Sequence, residues 1–347
     1  MGGSISLKFV REPSFFGIKH LEGPFHQTIV GRDKNTGKIF GFTNRSIRDL
    51  FVNGSVQKIG YMSLMRIIKE YQTGFPAIRG YQFCRELHKD LRTKFYLTSI
   101  MEDNQIAIKL LKSGVRGLPR YQEYTRFCTR SIPIRTKPRK VKQPSSFSIS
   151  KCSVNDKKKL ITFLNEYGKN HQFYPNWTID TLFHHDHTPG LKESDMLIVR
   201  NKDKIVGCMA MWDQRAFRQT IVRDYQNGLS RVTWLVNSTA RIFGYPQLPR
   251  TNAELKSCFI SHVAIEGNDP EIFKMLLIHC HNTLIESEVE YMVVGFSDFH
   301  PFNNNVTSIF YNVPTYSHIY LVSWEEDGID PLGMIDNRLP GIEVAIL

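Results

Sequence analysis

The sequence predicts an α/β protein built as two tandem domains, each a mixed central sheet flanked by helices. Three observations carry that prediction. A hairpin pattern occurs twice: Thr28–Lys34 followed by Gly37–Phe42, and Leu197–Lys202 followed by Asp203–Cys208. In both, a β-rich run meets a charged tight turn and a second β-rich run with glycine at the matching place. After each hairpin, strand, helix and strand follow in the order of a parallel βαβ crossover. Between the two copies, Ile132 to Ser150 is rich in Pro, Ser and Lys and reads as a boundary. The recurrence suggests an internal duplication, and 347 residues are long for one core. Domains are therefore expected at 1–131 and 151–347, joined by a linker at 132–150.

In the first half the patterns place a strand near Gln57–Ile67, a helix near Ala77–Leu91 and a strand near Lys94–Ile100. A second helix is expected at Gln105–Ser113, where Ile106, Leu110 and Ser113 share one face and Ala107 and Leu111 flank it. The second half repeats the order, with a strand near Cys258–Ile265, a helix near Pro270–Glu286 and a strand near Tyr291–Phe296.

Composition is that of a globular protein, 41% hydrophobic and 22% charged. No apolar run approaches the roughly 20 residues that span a bilayer, and Met1–Phe9 lacks the apolar core of a signal peptide. A cytoplasmic location without a membrane partner is expected. The six cysteines show no metal or redox spacing and sit among apolar neighbours, so free buried thiols are expected. The net charge of +12 favours anionic partners. Part of it lies between Arg126 and Lys142, where Arg130, Arg135, Lys137, Arg139, Lys140 and Lys142 alternate with prolines. That stretch reads as a solvated linker or as a basic arm touching RNA. Nucleic acid stays possible as a partner and is not favoured.

Gln57–Arg66 holds Gly60-Tyr-Met-Ser-Leu-Met-Arg66; Tyr71-Gln-Thr-Gly-Phe75 follows, and then Asn104 with Ala107 and Leu110 behind it. In this order and spacing the first half resembles the acetyl-CoA-binding core of the GNAT acetyltransferases, from about Arg11 to Arg130. The resemblance implies that Leu64, Met65, Arg66 and Ile67 run along the pantetheine. Gln72, Thr73, Gly74 and Phe75 take the pyrophosphate-loop position, and Asn104 starts the helix on the far side of the CoA. The second half resembles the C-terminal part of a tandem-GNAT group through Phe173-Tyr-Pro-Asn-Trp177 and Trp212–Gln219. The joint pattern implies an acyltransferase that uses acetyl-CoA as donor, needs no metal and acts on an amine that the sequence does not name.

The chain departs from the family pattern at several places. The phosphate loop is remodelled, because aligning Gln72 leaves Phe75 where the first glycine belongs. The tyrosine that often protonates the leaving thiolate is Leu111 here. Little sequence precedes Arg11, so a short first domain is expected. In the second half, Glu266-Gly-Asn-Asp-Pro270 puts two acids where a phosphate loop needs N–H donors. That half reads as a degenerate partner that shapes the acceptor site or the structure.

Glu102 and Tyr121 are the candidate catalytic residues: Glu102 as a base just past a strand end, Tyr121 as an acid or substrate contact. Asp103 is expected to cap the following helix. The adjacent histidines of His184–His187 resemble a metal cluster in composition alone. The polar run Asp213, Gln214, Arg215, Arg218 and Gln219 reads as an interdomain hydrogen-bond network in preference to an anion pocket. Two other functions compete with acetyl transfer: transfer from an aminoacyl-tRNA, which the charge would suit, and a non-catalytic CoA-binding or interaction role for the same fold.

Overall fold

A computed structural model describes residues 5–72, 76–226 and 229–347. In the first half the strands are β1 (Ile5–Val10), β2 (Phe25–Arg32), β3 (Ile39–Val52), β4 (Ser55–Ile67), β5 (Tyr96–Met101) and β6 (Arg120–Pro133). Helix α1 (Pro76–His88) lies between β4 and β5, and α2 (Gln105–Leu111) between β5 and β6. The second half begins with β7 (Phe147–Lys151), α3 (Lys157–Gly168), the short β8 (His171–Gln172) and α4 (Ile179–Leu182). The hairpin β9 (Met196–Asn201) and β10 (Lys204–Trp212) follows, then β11 (Gln219–Tyr225) and α5 (Leu229–Phe243). It closes with β12 (Ser257–Ile265), α6 (Pro270–Leu284), β13 (Tyr291–Ser297), α7 (Phe302–Ile309) and β14 (Val313–Ser323).

Eleven of these strands form one continuous sheet in the order β2-β3-β4-β5-β14-β6-β13-β12-β10-β9-β7. The two halves share it by exchanging strands. β14, from the second half, inserts between β5 and β6, pairing Ser317–Val322 with Met101–Tyr96. Reciprocally, β6 inserts between β13 and β14, pairing Phe127–Pro133 with Ser297–Tyr291. The repeats expected from the sequence are both present, and each is completed by a strand of the other.

Within the eleven-stranded sheet each half has one parallel pair among the described residues, joined by a crossover helix: β4 with β5, and β12 with β13. Helix α1 begins on Pro76 and α6 on Pro270, where proline lacks only an N–H that the first turn does not use. The halves differ between their second and third strands. β3 and β4 are joined by Asn53-Gly54, both with positive φ, the geometry of a two-residue hairpin. The corresponding β10 and β12 are separated by residues 213–256, which carry β11 and α5.

The cores are layered on the sheet faces. Phe273, Leu276 and Leu277 of α6 pack with Val294 and Ile260, while Leu160 and Leu164 of α3 pack on the other face with Trp177 and Trp212. Tyr81 and Cys84 of α1 pack with Met62, Tyr96 and Ile100. All six cysteines are free and buried. The segment 132–150 is tied down where a solvated linker was one expectation. Ile134 N–H donates to Glu290 O (2.8 Å), Arg139 N–H to Asn282 Oδ1 (2.9 Å), and the Arg139 guanidinium to the Ile309 carbonyl. Arg135 and Arg139 also lie over Tyr245 and Phe310, so two of the segment's cations are structural.

Candidate active site

The site follows from what each parallel pair does at its C-terminal end. β4 and β5 pair only at Gly60–Tyr96 and Tyr61–Leu97 and then diverge. β12 and β13 pair from Ser257–Tyr291 to Phe259–Val293 and also diverge. Three residues past the last pair, each first strand has a residue in the left-handed region, Leu64 (φ 57°) and His262 (φ 52°). The neighbouring antiparallel ladders slip there, between Phe42 and Asn44 and between Cys208 and Ala210. A bulge of this kind re-aims backbone groups out of the ladder and into the opening beside it.

The two openings differ in what fills them. In the second half Ser261 and His262 are fully buried, and the chain's own residues 343–346 lie against them. Glu343 Oε2 accepts from the His262 backbone N–H (2.7 Å) and its Oε1 from Ala345 N–H (3.2 Å). Val344 reaches Gly295 of β13, where an added Cβ would stand 2.7 Å from it. Burial raises the Glu343 pKa to about 7 and lowers that of His262 to about 3. In the first half the equivalent Ser63, Leu64 and Met65 are half-buried and Arg66 is exposed.

Beside that first opening lies a buried polar cluster drawn from both halves. Glu22 is 7% exposed and accepts from Ser63 Oγ (2.8 Å), one residue before the bulge. Burial raises its pKa, opposed by Ser63, Arg11 and Arg218. Arg11 keeps a buried Nε without a partner among the described residues. Arg218 comes from the second half, donating to the carbonyl oxygens of Ala345 (3.3 Å) and Leu347 (2.8 Å). Gln214 also donates to Ala345 O (2.9 Å), so this part of the polar run is a network between segments. Arg215 instead pairs with Asp213 (2.7 Å).

The residues singled out from sequence take these places. Leu64, Met65, Arg66 and Ile67 lie on β4 beyond its last pair with β5, half-buried except for the exposed Arg66. Gln72 folds back, its side-chain amide donating to Ile67 O (3.0 Å). Thr73, Gly74 and Phe75 lie outside the described residues. Asn104 caps α2, its Oδ1 accepting from Ala107 N–H (3.3 Å), which corrects the expectation that Asp103 is the cap. Asp103 stands one residue too early for its side chain to reach those amides. Both oxygens of Glu102 accept from the Arg126 guanidinium (3.0 Å each), which holds its carboxyl below the usual range. Tyr121 is half-buried as a residue, but its hydroxyl is desolvated and shares a hydrogen bond with Tyr81 (2.7 Å). Its pKa lies well above 10. Among the described residues no group of three His, Cys, Asp or Glu could hold a metal.

Sequence reading passed over Glu22, Arg11 and Ser63 as site residues. Glu22 and Arg11 carry no local motif. Ser63 had a signal: Tyr61-Met-Ser-Leu64 and Phe259-Ile-Ser-His262 are the same bulge, with serine at the same place.

The fold as a whole is similar to solved structures. The structure matches the GCN5-related glucosamine N-acetyltransferase region of a fungal multi-domain β-N-acetylglucosaminidase, at TM-score 0.59 and 13% identity. That match covers 88% of this chain, which spans about a third (34%) of the length of the fungal one. The chain has the GCN5-related N-acetyltransferase fold. A GCN5-related N-acetyltransferase from Sphaerobacter thermophilus matches at TM-score 0.55 and 9% identity, over 85% of this chain and 80% of that one. The N-myristoyltransferase of Saccharomyces cerevisiae, solved with bound myristoyl-CoA, matches at 0.57 and 12%, over 91% and 72%. No family model matches the sequence, and no curated protein does.

Proposed function

We propose that the chain is an acyl-CoA-dependent N-acyltransferase whose donor lies in the opening between β4 and β5. One contrast supports this reading: two equivalent openings exist, the second is filled by residues 343–346, and the first leaves Ser63–Arg66 accessible. Fold likeness adds support, since the yeast N-myristoyltransferase was solved with an acyl-CoA bound. Acetyl-CoA is the donor to try first and myristoyl-CoA the second.

In this reading the thioester carbonyl meets backbone N–H groups re-aimed by the bulge at Leu64, which polarise it. The amine attacks, a C–N bond forms and the C–S bond breaks. The nitrogen's proton passes to a carboxylate and CoA departs as thiolate. Glu22 suits the proton's destination better than Glu102. Burial gives Glu22 a raised pKa beside Ser63, whereas both oxygens of Glu102 are committed to Arg126. Arg66, exposed at the mouth and without a side-chain partner among the described residues, is placed to meet a phosphate.

Isothermal titration tests the donor site. Acetyl-CoA or myristoyl-CoA should bind one per chain, and Arg66→Glu should weaken binding at least tenfold, about 1.4 kcal/mol. Absence of binding by either thioester at millimolar concentration overturns the proposal.

A further inference from the structure

The inserted stretch 213–256 has no counterpart between β3 and β4, and its helix faces the wrong way for a globular protein. A surface helix normally turns its apolar stripe inward. In α5 the inward side holds Val236, Asn237 and Ala240, none fully buried, and Asn237 fastens it to the returning chain. Its Oδ1 accepts from Leu248 N–H (2.7 Å) and its Nδ2 donates to Leu248 O (3.3 Å). The large apolar residues point out: Trp234 is 69% exposed, Ile242 78% and Phe243 62%, with Val232 and Leu235 between them. At the helix's C-terminal end Tyr311, also exposed, meets Tyr245 edge-on at 6.3 Å.

The basic segment is pinned against that same end. Thr136 N–H donates to Gly244 O (3.0 Å) and Arg135 Nη2 to Phe243 O (3.1 Å). Lys137, Lys140 and Lys142 follow, all exposed and none paired with an acid among the described residues; Arg241 stands on the exposed side of the helix. The expectation of a solvated basic stretch therefore meets an apolar patch that the sequence did not show.

We propose that α5 and residues 137–142 form a docking surface for an anionic lipid bilayer. Outward Trp, Ile, Phe and Leu on one helix enter the boundary between headgroups and acyl chains. The lysines beside them supply the attraction to anionic headgroups. No helix among the described residues is long and apolar enough to cross a membrane, so the helix lies on the bilayer. A protein partner would need acids facing these lysines as well as an apolar groove, whereas an anionic bilayer provides both features over any area. The proposal does not depend on the acyltransferase reading.

Co-sedimentation with vesicles tests it, using the full chain and phosphatidylcholine vesicles with or without 30% phosphatidylserine. Binding is expected with phosphatidylserine at 0.1 M salt, together with a blue shift of tryptophan fluorescence. It should weaken at least tenfold without phosphatidylserine or at 0.5 M salt. The surface triple variant Trp234→Ser, Ile242→Ser, Phe243→Ser and the separate variant Lys137→Ala, Lys140→Ala, Lys142→Ala should each lose at least tenfold, with unchanged circular dichroism. Absence of binding to the anionic vesicles overturns the proposal. So does unchanged binding by the serine variant, which would mean adsorption by charge alone. Sedimentation equilibrium supplies a third arm: a dimer in the parent that the serine variant abolishes would assign the face to a second copy of the chain.

Discussion

Glu22 and Glu102 are two carboxylates in opposite settings, and the difference is measurable. Glu22, desolvated and held by Ser63, should give kcat/KM a limb that rises with pH through an apparent pKa above the usual glutamate value of about 4.3. Glu22→Gln should remove that limb and lower kcat by about 10²-fold or more, the range for a positioned base. Glu102→Gln should leave kcat within a few-fold, because its charge is already spent on Arg126. A reversed outcome would move the base to the end of β5. Glu343 and His262 make a second residue-scale prediction, on stability. Glu343, raised to about 7, contributes stability that is full below pH 4.5 and lost as pH rises through 7. His262, lowered to about 3, contributes stability present above 6.5 and lost as pH falls toward 3. Between pH 4.5 and 6.5 the two slopes oppose one another. Glu343→Gln should therefore make thermal stability rise more steeply with pH across that window, a difference of at most about 1.4 kcal/mol per pH unit. An unchanged slope in scanning calorimetry would show that Glu343 is not buried as a neutral acid.

At the scale of elements, the parallel pair β4–β5 rests on a glycine. A Cβ at Gly60 would stand 2.1 Å from the Tyr96 ring. The Tyr96 hydroxyl in turn accepts from Arg45 Nε (2.9 Å) and meets His88 Nδ1 (2.9 Å), and Arg45 forms a two-pronged ion pair with Asp90 (2.7 and 2.9 Å). Gly60→Ala should cost about 1–3 kcal/mol by chemical denaturation, the usual penalty for overpacking. A neutral result would mean that Tyr96 can swing aside without disturbing Arg45. Elements of this kind were legible from sequence. The strand at Gln57–Ile67, the helix at Pro270–Glu286 and both hairpin turns came from short-range periodicity and turn chemistry. They fall within a few residues of β4, α6 and the turns of β2–β3 and β9–β10, although β3 runs on to Val52, ten residues past the expected strand. The candidate site was legible on β4 alone, where pattern and motif coincide. Glu22 and Arg218 stand almost 200 residues apart, and only the tertiary fold brings them to the same opening. The outward face of α5 was invisible for a related reason. Periodicity reports that a helix has an apolar side, and only the packing says whether that side is covered.

For the whole molecule, the exchange of β6 and β14 carries one continuous sheet past residues 132–150, where the sequence suggested a boundary. Each half needs a strand of the other to complete its hydrogen bonding, so partial unfolding of one would strip the other's central ladder. Unfolding should therefore be a single transition, with far-ultraviolet circular dichroism and tryptophan fluorescence coincident in guanidinium. Expressed separately, 1–131 and 132–347 should each be insoluble or molten, and co-expression should recover a complex. Two separable transitions, or a well-folded 1–131, would show that the exchanged strands are dispensable.

The same exchange sets a timetable for making the protein. β6 is finished at Pro133, yet β14, its neighbour in the first half's ladder, begins at Val313, roughly 180 residues later. At about 5–20 residues per second on the ribosome, β5 and β6 wait some ten to forty seconds with a vacant slot between them. An emerging chain with two unpaired strand edges invites the wrong strand, including one from the nascent chain on the next ribosome. A synonymous-codon change that slows translation between Pro133 and Val313 should then lower soluble yield while leaving the purified protein identical, a cost that arises from chronology and not from any contact in the finished fold.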